Sequence, residues 1–273
     1  MAFTVRDLPQ RAVMGIVNVT PDSFSDGGLY ASVEAATAHA IRLVSEGASV
    51  IDIGGESTRP GSLGVSEVDE LRRVIPVVES VRGRTAALMS VDTTKPVVAA
   101  RALASGANIV NDVTGGRDLT LLDVVADHDA GLVLMHMRGV PRTMQDDPRY
   151  DDVVTEVADY LAERVEQAVA RGVRREAILV DPGIGFGKTV EHNCVLLANV
   201  AVIEERTGAA VVIGASRKRT LAALVGDDLQ ARDDATLATS VVVFAQGAAM
   251  VRVHDVRPSV VAARWIDRVE VAA

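Results

Sequence analysis

Residues able to bind or activate a small molecule fall at one recurrent place in this chain, just after a short apolar, β-branched run. Asn18 follows the first run, Gly54-Gly-Glu-Ser-Thr-Arg-Pro-Gly61 the second, and Asp92 closes the third. Asn111-Asp112 ends the fourth, His136 the fifth and Asp181 the sixth. Ser216-Arg-Lys218 follows the seventh, and Arg252 lies in the eighth with His254 just beyond it. A single polar strand end is ordinarily a cap or a turn, but one after every run makes a pattern. The residue types define a ligand. Asp92, Asn111 and Asp181 offer acceptors and an amide to a flat heterocycle rich in N–H groups, and carboxylates take paired hydrogen bonds from guanidine-like edges. Lys218 adds a donor for a ring carbonyl or an anion. Arg252 and His254 sit at the last strand, where barrels often bind phosphate. In a closed barrel Asn18 is their neighbour, and its amide oxygen suits a hard divalent cation bridging phosphate oxygens. The residues alone point to an enzyme that binds a polar heterocycle and a phosphate or diphosphate.

Eight short strands would have to position these groups. The runs are 12–17, 49–53, 86–91, 109–110, 132–135, 178–180, 210–213 and 250–253. They are apolar throughout rather than alternating, as in parallel strands buried on both faces. Their spacing of about 34 residues fits one strand plus one crossover helix. Helical stripes lie between them: Val33, Ala36, Ala40, Ile41 and Val44; Val68, Leu71, Val74, Ile75 and Val78, behind a Ser66/Asp69 capping pattern; and Val154, Val157, Leu161, Val165 and Ala168. No linker or low-complexity segment interrupts the chain. The expectation is one α/β domain over residues 1–273, a (β/α)8 TIM barrel with all eight polar ends on one rim, a doubly wound open sheet being the alternative.

Composition narrows the function further. The 273 residues are 48% hydrophobic and 24% charged, the balance of a folded globular chain. With 37 acidic against 28 basic residues and a net charge of −9, a broad nucleic-acid interface is disfavoured. The absence of an 18-residue apolar run and of an apolar leader leads to a cytoplasmic expectation. Cys194 is the only cysteine, which excludes an intrachain disulfide and a thiolate metal site, and it reads as a core filler. Gly183-Ile-Gly-Phe-Gly-Lys-Thr189 is one residue too short for a nucleotide P-loop, with Pro182 where the first glycine belongs, so ATP binding is rejected. His39 and His128 read as surface residues, His192 as a helix start, and Trp265 as a packing or oligomer contact.

The strings Asn18-Val-Thr-Pro-Asp-Ser-Phe-Ser-Asp-Gly-Gly28, Gly54–Gly61, Ser90-Val-Asp-Thr93, Asn111-Asp-Val113, Met135-His-Met-Arg-Gly139, Asp181-Pro-Gly-Ile-Gly-Phe-Gly-Lys188, Ser216-Arg-Lys218 and Arg252-Val-His-Asp-Val256 resemble, in order, those of the dihydropteroate synthases. The resemblance implies a (β/α)8 homodimer of the folate pathway, assisted by Mg2+ and inhibited by sulfonamides. The implied reaction joins p-aminobenzoate to 6-hydroxymethyl-7,8-dihydropterin diphosphate by an SN1-like substitution, giving 7,8-dihydropteroate and diphosphate. It also implies roles. Asp92, Asn111, Asp181 and Lys218 hold the pterin, and Asn18, Thr58, Arg252 and His254 hold the diphosphate, Asn18 touching Mg2+. Phe24, Thr58, Arg59, Pro60 and Ser216 shape the p-aminobenzoate pocket. Asp26, Arg59 and Lys218 act in catalysis, Asp26 and Arg59 by ordering the first two loops over the cation. Thr220 and Ala235 depart from the family pattern, near the expected dimer region. Two other readings keep the fold: a catalytically weak or inactive pterin-binding paralogue, and a methyltransferase from methyltetrahydrofolate to a corrinoid. The latter gives no reason for Arg252, His254 or Ser216-Arg-Lys218.

Overall fold

The computed structural model describes residues 2–19, 28–57, 64–140 and 142–272. Its strands are β1 (Ala12–Asn18), β2 (Val50–Gly54), β3 (Leu88–Asp92), β4 (Ile109–Asp112), β5 (Gly131–Met135), β6 (Ile178–Asp181), β7 (Ala210–Ile213) and β8 (Met250–Val253). All pair in parallel, each with the next, and β8 pairs back with β1 through Met14 and Arg252, closing the barrel. The strands match the apolar runs to within a residue or two at each end. The open-sheet alternative is thereby excluded.

Helices α1 (Gly28–Ser45), α2 (Glu67–Arg82), α3 (Pro96–Ala104), α4 (Leu119–Asp127) and α5 (Val153–Ala170) each follow one strand. After β6 the chain makes two helices, α6 (Val190–Leu197) and α7 (Val200–Thr207). After β7 it makes α8 (Arg219–Val225) and α9 (Leu229–Ala245), and α10 (Val256–Ala272) ends the fold. The second helix in those two intervals departs from the one-helix expectation. The Ser66 hydroxyl caps α2 by accepting from the Asp69 N–H at 3.2 Å and donating to the Asp69 carboxylate at 2.6 Å. Val68 is exposed, so the buried stripe of α2 begins one turn later, at Leu71.

Two apolar layers hold the barrel. One lies between strands and helices, from Val17 and Leu43 round to Val253 and Val260. The other fills the interior at the strands' N-terminal end, with Phe3, Met14, Val50, Ile109, Val133, Leu179, Val212 and Met250. The interior toward the C-terminal end is polar instead. Two expectations are corrected. Cys194 is exposed on α6 rather than in the core, because the inward side of that short helix is taken by Asn193 and Leu196. His39 is half-buried, its Nε2 3.3 Å from the Ile16 carbonyl. Among the described residues no helix is long and apolar enough to cross a membrane.

Candidate active site

Register alone sets four polar-end positions side by side, because Asn18 pairs with Gly54, Gly54 with Asp92 and Asp92 with Asn111. Arg252 reaches across the interior from β8. Its Nε donates to Asp52 Oδ2 at 2.6 Å and its Nη2 to Asp92 Oδ2 at 2.8 Å. Asn111 Nδ2 donates to the same Asp52 oxygen at 3.2 Å, which turns the amide oxygen of Asn111 away from Asp52. Burial opposes the charge of Arg252, but Asp52 and Asp92 outweigh it and raise its pKa. Burial pushes the Asp92 carboxyl up to about 7; Arg252 opposes the rise and Asp52 adds to it.

The other half of the mouth is built around a residue without a side chain. A Cβ at Gly214 would lie 3.3 Å from Asp181 Oδ2, 3.8 Å from Lys218 Nζ and 3.9 Å from Arg252 Cβ. Glycine thus leaves a bare floor where three charged residues converge. Asp181 Oδ1 accepts the Gly183 N–H at 2.7 Å, and burial raises this carboxyl against the pull of Lys218. Lys218 donates to the Ile184 carbonyl at 2.7 Å and stands 4.4 Å from the centre of the Phe186 ring. Burial brings its pKa down to about 8. Ser216 Oγ accepts the backbone N–H of His254 at 3.2 Å and lies 3.0 Å from its Nδ1.

Asp92, Asn111, Asp181, Lys218, Arg252, Ser216 and His254 are therefore at one end of one barrel, with Asn18 exposed on the same rim. Phe24, Asp26, Thr58, Arg59 and Pro60 lie outside the described residues. Two polar strand ends have local work. Asp112 accepts from Thr114 N and Oγ1 and from Gly116 N at 2.6–2.8 Å, and His136 meets Lys188. Two features escaped the sequence reading. Asp52 is fully buried in the interior, a carboxylate inside a strand run whose partner the sequence does not reveal. Val113, Met135, Met137, Met144 and Phe186 form an apolar cluster joining the segments after β4, β5 and β6. Among the described residues no group of three acidic, His or Cys side chains could hold a metal ion. Among the described residues the Asn18 amide is what the rim offers, and it fits a cation that keeps waters and takes its remaining oxygens from phosphate, as Mg2+ does.

Residues 14–254 match the family described as pterin binding enzyme. Dihydropteroate synthase of Escherichia coli (strain K12) is 43% identical over 264 residues, covering 97% of this chain and 93% of that protein. The chain belongs to the dihydropteroate synthases. The structure of the Xanthomonas albilineans dihydropteroate synthase with 4-aminobenzoic acid is 47% identical, covers 98% of this chain and 95% of its own, and superposes with a TM-score of 0.90. That of the Yersinia pestis dihydropteroate synthase in a sulfonamide drug complex is 40% identical, covers 96% of both chains and also has a TM-score of 0.90. A dihydropteroate synthase is a transferase of the folate pathway, and the (β/α)8 fold expected for one is the fold observed. Neither the inactive-paralogue nor the methyltransferase reading draws support from these relatives.

Proposed function

We propose that the mouth between Asn18 and His254 joins p-aminobenzoate to 6-hydroxymethyl-7,8-dihydropterin diphosphate, releasing diphosphate. The observation that carries this assignment is the convergence of Asp181, Lys218 and Arg252 over Gly214, opposite the Asp92–Asn111 pair. The Asp181 carboxylate, with one oxygen fixed by Gly183, accepts from the aminopyrimidine edge of the pterin. Asn111 offers its amide oxygen to a ring N–H, Asp92 accepts beside it, and Lys218 donates to a ring carbonyl. His254 and Asn18 face the diphosphate, with Thr58 supplied by the resemblance. Arg252 contributes positive potential there, while its Nε and Nη2 stay committed to Asp52 and Asp92.

The chemistry follows from charge separation. The C–O bond to diphosphate breaks with its electron pair on the leaving oxygen, and the dihydropterin ring stabilises the cation left on the methylene carbon. The arylamine then forms the C–N bond and loses a proton. Catalysis is the stabilisation of both charges and the alignment of the two partners. Mg2+, held at the Asn18 amide oxygen, would supply charge neutralisation on the leaving diphosphate. Ser216, in contact with His254, stands where the diphosphate and p-aminobenzoate subsites meet. Phe24, Arg59 and Pro60 complete the second subsite, and Asp26 and Arg59 act in closing it, as the resemblance implies. Sulfonamides compete at that subsite. One barrel spanning residues 1–273 carries the whole activity, in the cytoplasm, as a homodimer joined through the exposed apolar side chains of α8 to α10. The test is dihydropteroate formation by the purified chain with both substrates and Mg2+. Steady product formation is expected, and no product under conditions where the Escherichia coli relative turns over would overturn the assignment.

A further inference from the structure

The string Gly183-Ile-Gly-Phe-Gly-Lys188 reads like a phosphate cradle, yet its lysine points into the protein. Lys188 is only 3% exposed. Its Nζ donates to the carbonyls of Gly183 and Phe186, both at 3.0 Å, and lies 2.9 Å from His136 Nδ1, with the His136 carbonyl at 3.4 Å. Burial pushes the Lys188 pKa well below that of a free lysine, and the three near contacts suit either an ammonium donating to all three or a neutral amine that donates to the two carbonyls and accepts from Nδ1–H of His136. Burial, with Lys188 beside it, holds the His136 pKa down to about 2, so the ring is neutral.

Every carbonyl from Gly183 to Gly187 receives a side-chain donor. Lys188 takes those of Gly183 and Phe186, Lys218 that of Ile184, Gln145 that of Gly185 at 2.8 Å, and Tyr150 that of Gly187 at 2.9 Å. The backbone at Gly183 is in the left-handed region, at φ 72°, and a Cβ there would fall 1.9 Å from the His136 carbonyl oxygen. The segment is thus pressed against β5 by one face. Its other face meets the site: the Gly183 N–H fixes Asp181, the Ile184 carbonyl fixes Lys218, and the Phe186 ring lies against Lys218.

We propose that Lys188 is a positioning residue, its amino group clasping the inner face of segment 183–187 so that the outer face holds Asp181, Lys218 and Phe186 where the two substrates meet. The lysine that a nucleotide loop would aim at phosphate is aimed at the chain's own carbonyls. The proposal rests on the substrate placement given above. It is tested with Lys188→Met, which keeps length and removes the donors, and Lys188→Gln, which keeps two N–H groups. Steady-state KM values for both substrates are measured, with calorimetric binding of 6-hydroxymethylpterin and of inorganic diphosphate. In Lys188→Met the KM for p-aminobenzoate and the Kd for 6-hydroxymethylpterin rise at least tenfold, while the diphosphate Kd stays within twofold. Lys188→Gln falls between. The His136 Nδ1 resonance, followed by 15N NMR, shifts toward that of an unbonded imidazole nitrogen. A folded Lys188→Met enzyme with native constants, or one losing all ligands equally, would overturn the proposal. If Lys188→Met does not fold, Lys188→Gln decides by the same constants. A native enzyme that makes no product would instead refute the substrate placement, a result distinct from an indifferent Lys188.

Discussion

In the proposed placement Asp181 and His254 serve different ligands, and their contacts say how to separate them. Asp181 is buried, with one oxygen on the Gly183 N–H and the other over Gly214, so the proposal gives its remaining acceptor capacity to the pterin ring. His254 meets Ser216 beyond the end of β8. Asp181→Ala is expected to abolish calorimetrically detectable 6-hydroxymethylpterin binding, a loss of at least a hundredfold. His254→Ala should weaken diphosphate about tenfold and leave free pterin within twofold; equal losses for both ligands would contradict this division. Asp92 gives a second test, through stability. Its carboxyl is pushed from 3.8 up to about 7. An acid raised by folding binds more protons folded than unfolded between those two values, so its contribution falls as pH rises through that window. Urea denaturation of the native chain and of Asp92→Asn at pH 4.5 and 7.5 should show the native chain losing stability relative to the variant at the higher pH. At this scale the sequence was legible wherever a polar residue ended an apolar run. It was silent on Asp52, because a carboxylate inside such a run carries no mark that its partner, Arg252, lies across the barrel. Lys188 was visible as a motif, but the direction in which it points depends on His136, a residue of another strand.

Among the described residues only Asp129 and Arg217 hold a left-handed backbone despite a side chain, and Arg217 lies in the turn between β7 and α8. Arg217 sits at φ 56°, a left-handed conformation unusual for a residue with a side chain. It stands between Ser216 and Lys218, both of which face the mouth. Its guanidinium makes a two-pronged ion pair with Asp233 of α9, Nε to Oδ1 at 2.7 Å and Nη2 to Oδ2 at 2.8 Å. The pair ties the strained turn to a long helix and so aims the residues on either side of it. Asp233→Asn should cost about 1 kcal/mol in urea unfolding, since the pair is partly solvent-screened. It should also raise the KM for p-aminobenzoate severalfold, with kcat changing less. Unchanged KM with the same stability loss would leave the pair with a purely structural role. The strands were legible because burial on both faces writes itself as an unbroken apolar run. The doubled helices after β6 and β7 were not, since α6, α7 and α8 span two turns or so each and leave too short a stripe to read. Thr220, a departure from the family pattern, has a local reason: its buried Oγ1 accepts from Asn193 at 2.8 Å, tying α8 to α6.

For the molecule as a whole, the outer helices leave a surface that one copy does not cover. Val261, Trp265 and Val269 follow each other at one-turn spacing on α10 and are 60%, 69% and 51% exposed. Val241 and Val242 of the adjoining α9 are exposed as well. Light scattering coupled to size exclusion should report a dimer at micromolar concentration, and Val261→Glu with Trp265→Glu should shift it toward monomer without loss of helical circular dichroism. A native monomer would remove the homodimer from the proposed function. The sequence marked Trp265 as a packing or oligomer contact, and its exposure argues against packing within the chain.

The ring closure has a consequence for how the chain is born. Asp52 is made 200 residues before the guanidinium that pairs with it, which lies in the strand that shuts the barrel. Until that final strand arrives, the nascent interior holds an acidic group with no counter-charge and a sheet with two raw edges. Closure of the barrel by β8 is therefore a single committing event, in which the Asp52 counter-charge and the last strand edges are supplied together.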